Sequence, residues 1–139
     1  MKRNLHLKPR LATLVLAVAA LPAEASSDCA APAARRQTRE AVRQLGLANV
    51  SVHACRAEDV PESGQHDQLI ARALAPLDGI LTLGGHLLRP GGRLLAMKGR
   101  VPTGEIAALP DGYRHLATHP LHVPGLDAER HLIIVEKTG

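Results

Sequence analysis

Aromatic side chains are almost missing from this chain of 139 residues: it has no Phe, no Trp and a single Tyr, Tyr113. A core must therefore be assembled from Leu, Ala, Val and Ile. There is also no set of rings on which unpaired bases could stack, which argues against a general single-strand nucleic-acid binder. Cysteine is scarce as well. Cys29 and Cys55 are too few for a disulfide scaffold and lack metal-site spacing, although one bridge between them is compatible with the count. No Gly-x-Ser-x-Gly, His-Glu-x-x-His or phosphate-binding Gly-rich loop occurs, and there is no internal repeat or low-complexity tract. The longest early apolar run, residues 11–21, is too short for an ordinary membrane span. Lys and Arg number 17 against 13 Asp and Glu, a formal charge of +4. Such a balance suits a polyanionic partner and equally a mildly basic soluble domain.

What the chain does contain is organised around residues 87–99, Leu-Leu-Arg-Pro-Gly-Gly-Arg-Leu-Leu-Ala-Met-Lys-Gly. Leu83, Leu87 and Leu88 sit at helical spacing, and Pro90 cannot donate the hydrogen bond that a continuing helix needs. Gly91 and Gly92 allow the backbone to turn through positive φ. Residues 94–97 form a continuous apolar run of strand length, the pattern of a strand buried on both faces. A helix feeding such a strand is half of a βαβ unit, so the expected fold is α/β with a parallel sheet. Ligands in such sheets lie at the carboxyl ends of the strands, here marked by Lys98 and Gly99.

Residues 1–25 have the layout of a secretory signal peptide: Lys2, Arg3, Lys8 and Arg10, the apolar run, then Ala23-Glu24-Ala25. Read instead as an internal segment, the Ala- and Leu-rich run suits a buried or amphipathic helix. Residues 26–37, small and interrupted by Pro32, predict a loop. Thr38 to Leu45 predicts a helix with Ala41, Val42 and Leu45 on one face, stopped by Gly46. Residues 49–54 alternate and predict a strand, with Arg56, Ala57, Glu58 and Asp59 at its carboxyl end. A second strand over 68–71 ends in Arg72. A crossover helix carries Leu74, Leu77, Ile80, Leu81 and Leu83. A short helix is predicted near 103–108, and two antiparallel strands over 114–119 and 131–136 enclose a polar loop at 123–130.

Four histidines, His115, His119, His122 and His131, fall late in the chain, but on strand and loop and with no Cys or carboxylate converging on them, so no metal is expected. The acids Glu58, Asp59, Asp127 and Glu129 suit either general bases or solvated loop charges. Glu58, Arg72 and Lys98 follow three successive predicted strands. In a parallel sheet they would converge on one crevice fit for a small charged ligand.

These residues support a resemblance. From about Arg39 to Lys137 the chain resembles the C-terminal two-thirds of the bacterial 16S ribosomal RNA guanine-N7 methyltransferases, the GidB family. The likeness rests on Arg39 to Leu47 with Asn49-Val50, on Arg56-Ala57-Glu58, on Arg72-Ala73, on Gly92 to Gly99 and, most distinctively, on Val123 to Leu132. The resemblance implies a Rossmann-like, class I methyltransferase sheet binding S-adenosylmethionine. It places Ala57 and Glu58 along the adenosine part of the cofactor and Arg72 against the cofactor or the substrate edge. It suggests Lys98 and Arg130 for RNA phosphate or base orientation. The implied partner is 16S ribosomal RNA in the small ribosomal subunit, met by a cytoplasmic monomer with no membrane. No catalytic dyad is needed, because guanine N7 attacks through a lone pair that carries no proton.

One departure is plain. The family opens with a strand, a Gly-rich turn for the methionine end of the cofactor, and a second strand ending in a ribose-binding acid. This chain has no Gly before Gly46, and Asp28, near the place of that acid, has unfamiliar neighbours. The expectation is an atypical segment over 1–38 and a methyltransferase-like domain over 39–139. The sheet would be N-terminally truncated, or its first forty or so residues read in a shifted frame. Weak or no cofactor binding and marginal stability would follow. The alternatives are an exported non-enzymatic protein reusing the scaffold, and a module that binds ribosomal RNA without methylating it.

Overall fold

The computed structural model describes residues 32–53, 55–72 and 75–139. The signal-like stretch, Asp28, Ala73 and Leu74 lie outside them. The first element, α1, runs Pro32–Gln44. The part of the expected loop from Pro32 to Gln37 is therefore helical: Pro at a first helical position gives up only an amide that would have had no intrahelical partner. Gly46, at φ +64°, ends the helix as the sequence suggests. Leu47 N–H donates to the Val42 carbonyl at 3.1 Å and Gly46 N–H to that of Arg43 at 3.2 Å, the two bonds of a Schellman stop. The helix is thinly packed. Ala41 is exposed, Val42 is half-buried, and Leu45 keeps 70% of its surface.

The strand expected over 49–54 does not form among the described residues. Ser51, Val52 and His53 do alternate exposed, half-buried, exposed. Alternation shapes a ribbon, however, and a strand also needs a neighbouring backbone to bond. Residues Ala57–Asp59 instead make one 3-10 turn.

Four strands form the sheet: β1 (His66–Arg72), β2 (Leu88–Lys98), β3 (Tyr113–Pro120) and β4 (His131–Lys137). Their order is β1-β2-β4-β3, with β1 and β2 parallel and the other two pairings antiparallel. Helix α2 (Leu77–Gly84) and a 3-10 turn at Gly85–Leu87 connect the parallel pair, and α3 (Thr103–Ala107) follows β2. The anticipated turn at Pro90-Gly91-Gly92 lies inside β2 as a bulge. Between the pairs His66↔Leu88 and Gln68↔Arg93, β1 advances two residues and β2 five. Pro90 is tolerated there because a bulge needs no ladder donor from it. Gly92 is required, since a Cβ would lie 2.8 Å from the Arg89 carbonyl oxygen and 3.1 Å from that of His66.

The core lies on one face. Leu69 and Ala71 of β1, Leu94 and Ala96 of β2, and Ile133 and Val135 of β4 form aligned rows under Leu77, Ile80 and Leu81 of α2. Tyr113 packs at their margin. On the other face Ile70, Leu95, Met97, Leu132 and Ile134 are only half-buried. The apolar run 94–97 is thus buried on one side and partly covered on the other, a correction to the two-sided burial its composition suggested. Among the described residues no helix is long and apolar enough to cross a membrane.

Candidate functional site

Register fixes the site. In the parallel pair Arg72 lies opposite Met97, so Arg72 and Lys98 leave the carboxyl ends of β1 and β2 on opposite faces of the sheet, Arg72 with Met97 and Lys98 on the α2 side with Leu94 and Ala96. In the antiparallel pair Lys98 lies opposite His131. The residues leaving β2, Gly99 and Arg100, therefore face those entering β4, Glu129 and Arg130. These four line an open cleft of about 530 Å³. The His131 ring, through Nδ1, lies 3.1 Å from the Gly99 carbonyl oxygen and pins one lip of the cleft.

The other lip is a closed loop. Leu121 N–H donates to the Arg130 carbonyl at 2.7 Å across its base. At its tip Leu126 N–H donates to the Val123 carbonyl at 3.0 Å around Pro124 and Gly125, the latter at φ +77°. Pro followed by a positive-φ Gly is the composition of a type II turn. Val123 and Leu126 stay exposed on it.

Four cations share this edge, and they are not equivalent. Arg72 and Arg100 are exposed and make no side-chain hydrogen bond or ion pair among the described residues. Arg130 donates through Nη1 to the Glu129 carbonyl at 2.7 Å, leaving the rest of its guanidinium free for a bidentate acceptor. Lys98 is different: only 17% exposed, its Nζ donates to the Ala75 carbonyl at 2.8 Å and to Glu105 Oε2 at 2.9 Å.

Ala57 and Glu58 stand apart from that edge, on the 3-10 turn that packs against α2. Their N–H groups head the turn, whose own bonds come from Asp59 and Val60. Glu58 is exposed and lies 3.5 Å from the Arg56 guanidinium. Of the three charges expected to converge after three strands, Arg72 and Lys98 share one end of the sheet but stand on opposite faces of it. Glu58 follows no strand, and no hydrogen bond or ion pair among the described residues joins it to either. Arg100 and Glu105 were missed. Arg100 could have been found by carrying the antiparallel register two steps past Lys98. Glu105 had no sequence signal.

Away from this edge, the Glu62 carboxylate lies 3.2 Å from His53 and 3.9 Å from His66 at the amino end of β1. Of the late histidines, His115 faces Thr118 Oγ1 at 2.9 Å, and no group of metal-ligating residues assembles among the described residues.

An adenosine-bearing cofactor fits part of this arrangement. A turn with two outward amides and a carboxylate can meet the acceptors and the exocyclic donor of an adenine. For the methionine end there is no Gly-rich turn among the described residues.

Comparison with known proteins follows the same division. Residues 34–133 match the family described as GidB: rRNA small subunit methyltransferase G. A ribosomal RNA small subunit methyltransferase G of Xanthomonas campestris pv. campestris is 60% identical over 102 residues, covering 73% of this chain and 48% of that protein. Its counterpart in Stenotrophomonas maltophilia is 59% identical over 100 residues, 72% of this chain and 47% of that protein. The chain thus spans about half the length of the curated relatives it matches. Among solved structures, the 1,6-didemethyltoxoflavin-N1-methyltransferase of Burkholderia thailandensis, with bound S-adenosylhomocysteine, aligns with a TM-score of 0.57 at 13% identity, covering 74% of this chain and 57% of that one. A SAM-dependent methyltransferase from Aquifex aeolicus aligns at 0.56 and 15% identity, covering 78% and 65%. At such identities the likeness is one of fold, and the fold is the Rossmann-like sheet of class I methyltransferases.

Proposed function

The chain belongs to the rRNA small subunit methyltransferase G family, and on that premise we propose that it serves S-adenosylmethionine-dependent methylation of guanine N7 in 16S ribosomal RNA. The carrying observation is the match over residues 34–133 to that family, whose span includes the whole basic edge from Arg72 to Arg130. Its partner is the small ribosomal subunit, and it works as a cytoplasmic monomer without a membrane.

S-adenosylmethionine, when bound, supplies an electrophilic methyl group on a sulfonium centre. Everything else falls to the residues of the chain. Ala57 and Glu58 hold the adenine through main-chain N–H and carboxylate, and Arg72 orients the cofactor or the edge of the target base. Arg130, with Arg100 across the cleft, neutralises backbone phosphate and holds the RNA in register. Guanine N7 needs no general base, so positioning and exclusion of water make up the protein's contribution. The target base has to be unstacked to reach the site.

Titration of the purified chain with S-adenosylmethionine, followed by transfer of labelled methyl to small subunits from a host lacking the modification, tests the proposal. The label is expected at N7 of one 16S guanine, with cofactor affinity weaker than about micromolar because no Gly-rich turn meets the methionine end among the described residues. Failure of both binding and transfer would overturn it.

A further inference from the structure

We infer that Lys98, at the end of β2, is a positioning residue that acts through Glu105, and not one that touches RNA; this deepens the function proposed above and rests on it. The Lys98 Nζ is committed on two sides, to the Ala75 carbonyl at 2.8 Å and to Glu105 Oε2 at 2.9 Å. The same Oε2 accepts the N–H of Leu77, the first residue of α2, at 2.8 Å. No side chain of its own caps α2, whose N-cap position is Pro76. Glu105 therefore does from α3 what a local Ser or Asp would do, and its negative charge suits a helix N-terminus.

Three elements meet at that one oxygen. α3 supplies it from Glu105, β2 brings Lys98 to it and α2 the N–H of Leu77, while the Ala75 carbonyl, just ahead of α2, holds the lysine from its other side. Ala75 lies three residues past Arg72 in sequence, and the strap holds the chain there, at the entrance to α2. Lys98 is 17% exposed and Glu105 32% exposed, so salt screens the pair less than it would a fully exposed one. A lysine with two donors so engaged and little exposure is poorly placed to follow a phosphate. Arg100 and Arg130, at the cleft beside it, are better placed.

The test uses the full chain and two readouts. Hydrogen exchange at the Leu77 amide requires neither cofactor nor RNA. Glu105→Ala is expected to speed it about tenfold, as loss of a charge-assisted bond should. Lys98→Met is expected to speed it as well, the double variant to be no faster than Glu105→Ala alone, and Lys98→Arg to restore protection. The second readout is the salt dependence of binding to a 16S fragment. Lys98→Met should keep the wild-type slope, whereas Arg130→Ala should lower it by about 0.7–0.9. Wild-type exchange at Leu77 in Lys98→Met, or a slope reduced there by about one ion, would overturn the inference. Should Lys98→Met not fold, Glu105→Gln, which keeps the shape and removes the charge, takes its place in the exchange measurement with the same two outcomes. A wild-type chain that retains no RNA would sink the functional proposal, while exchange at Leu77 would still decide the strap.

Discussion

Lys137 reaches across from the last strand to hold Gly85: its Nζ donates to the Gly85 carbonyl at 3.0 Å and, with a second N–H, to that of Leu88 at 2.9 Å. β4 thereby anchors the turn that feeds β2, although β4 and that turn are about fifty residues apart in sequence. Charged-donor bonds of this kind contribute about 1.5–3 kcal/mol each where partly shielded. Lys137→Met should lower unfolding free energy by about 2 kcal/mol, read from the urea midpoint at unchanged slope. A loss within experimental scatter would show the two carbonyls to be equally well served by water.

The same turn is crowded from the other side. A Cβ on Gly85 would run into the Tyr113 hydroxyl. Gly85→Ala is expected to cost about 1–3 kcal/mol by overpacking. Removing the offending oxygen in the double variant with Tyr113→Phe should recover part of that loss, a coupling that a double-mutant cycle measures. Additive effects would mean that the clash is relieved elsewhere.

Tyr113 also gives a pH prediction. Its partial burial raises the phenol above its ordinary value of 10.0. The neutral phenol is thus favoured by the folded state, and its contribution is fully present below pH 10. As pH climbs from there through the folded-state value, the unfolded chain gives up its proton first and stability falls. Because Tyr113 is the sole aromatic residue, tyrosinate absorbance follows it without interference. Denaturation curves above and below pH 10 should show the loss, and Tyr113→Phe should flatten it.

A pair of leucines separates packed from unpacked surface. Leu94 is fully buried in the aligned rows, whereas Leu45 at the end of α1 keeps 70% of its area. Leu94→Ala should cost about 2–5 kcal/mol. Leu45→Ala should stay within about 0.5 kcal/mol. A large loss at Leu45 would reveal a partner for α1 that the described residues do not contain.

These contrasts explain what could be read from the sequence. The two final strands, the crossover helix and the Gly46 stop were legible because each is written locally, in alternation, in the spacing of Leu77, Ile80 and Leu81, or in one glycine at positive φ. The segment around Val50 and Val52 has the same alternation without becoming a strand, because pairing depends on a neighbour rather than on its own residues. Arg72 and Lys98 were placed at strand ends by the apolar runs before them, where the register has them, whereas Arg130 came only with the resemblance. The work Lys98 does was hidden, since it is set by Glu105 and Ala75, brought to it by folding. Ala57 and Glu58 were placed at the end of a strand that does not form, and the resemblance gave them their role.

The sheet order has a consequence for the birth of the molecule. β4 lies between β2 and β3, yet it is translated after both. Until residues 131–137 have left the ribosome, β2 lacks its antiparallel neighbour, β3 lacks the strand it pairs with among the described residues, and the turn at Gly85 has no lysine to hold it. The sheet therefore cannot close progressively from its first strand to its last. It closes in one late step, when a single strand slides between two that have been waiting with open edges.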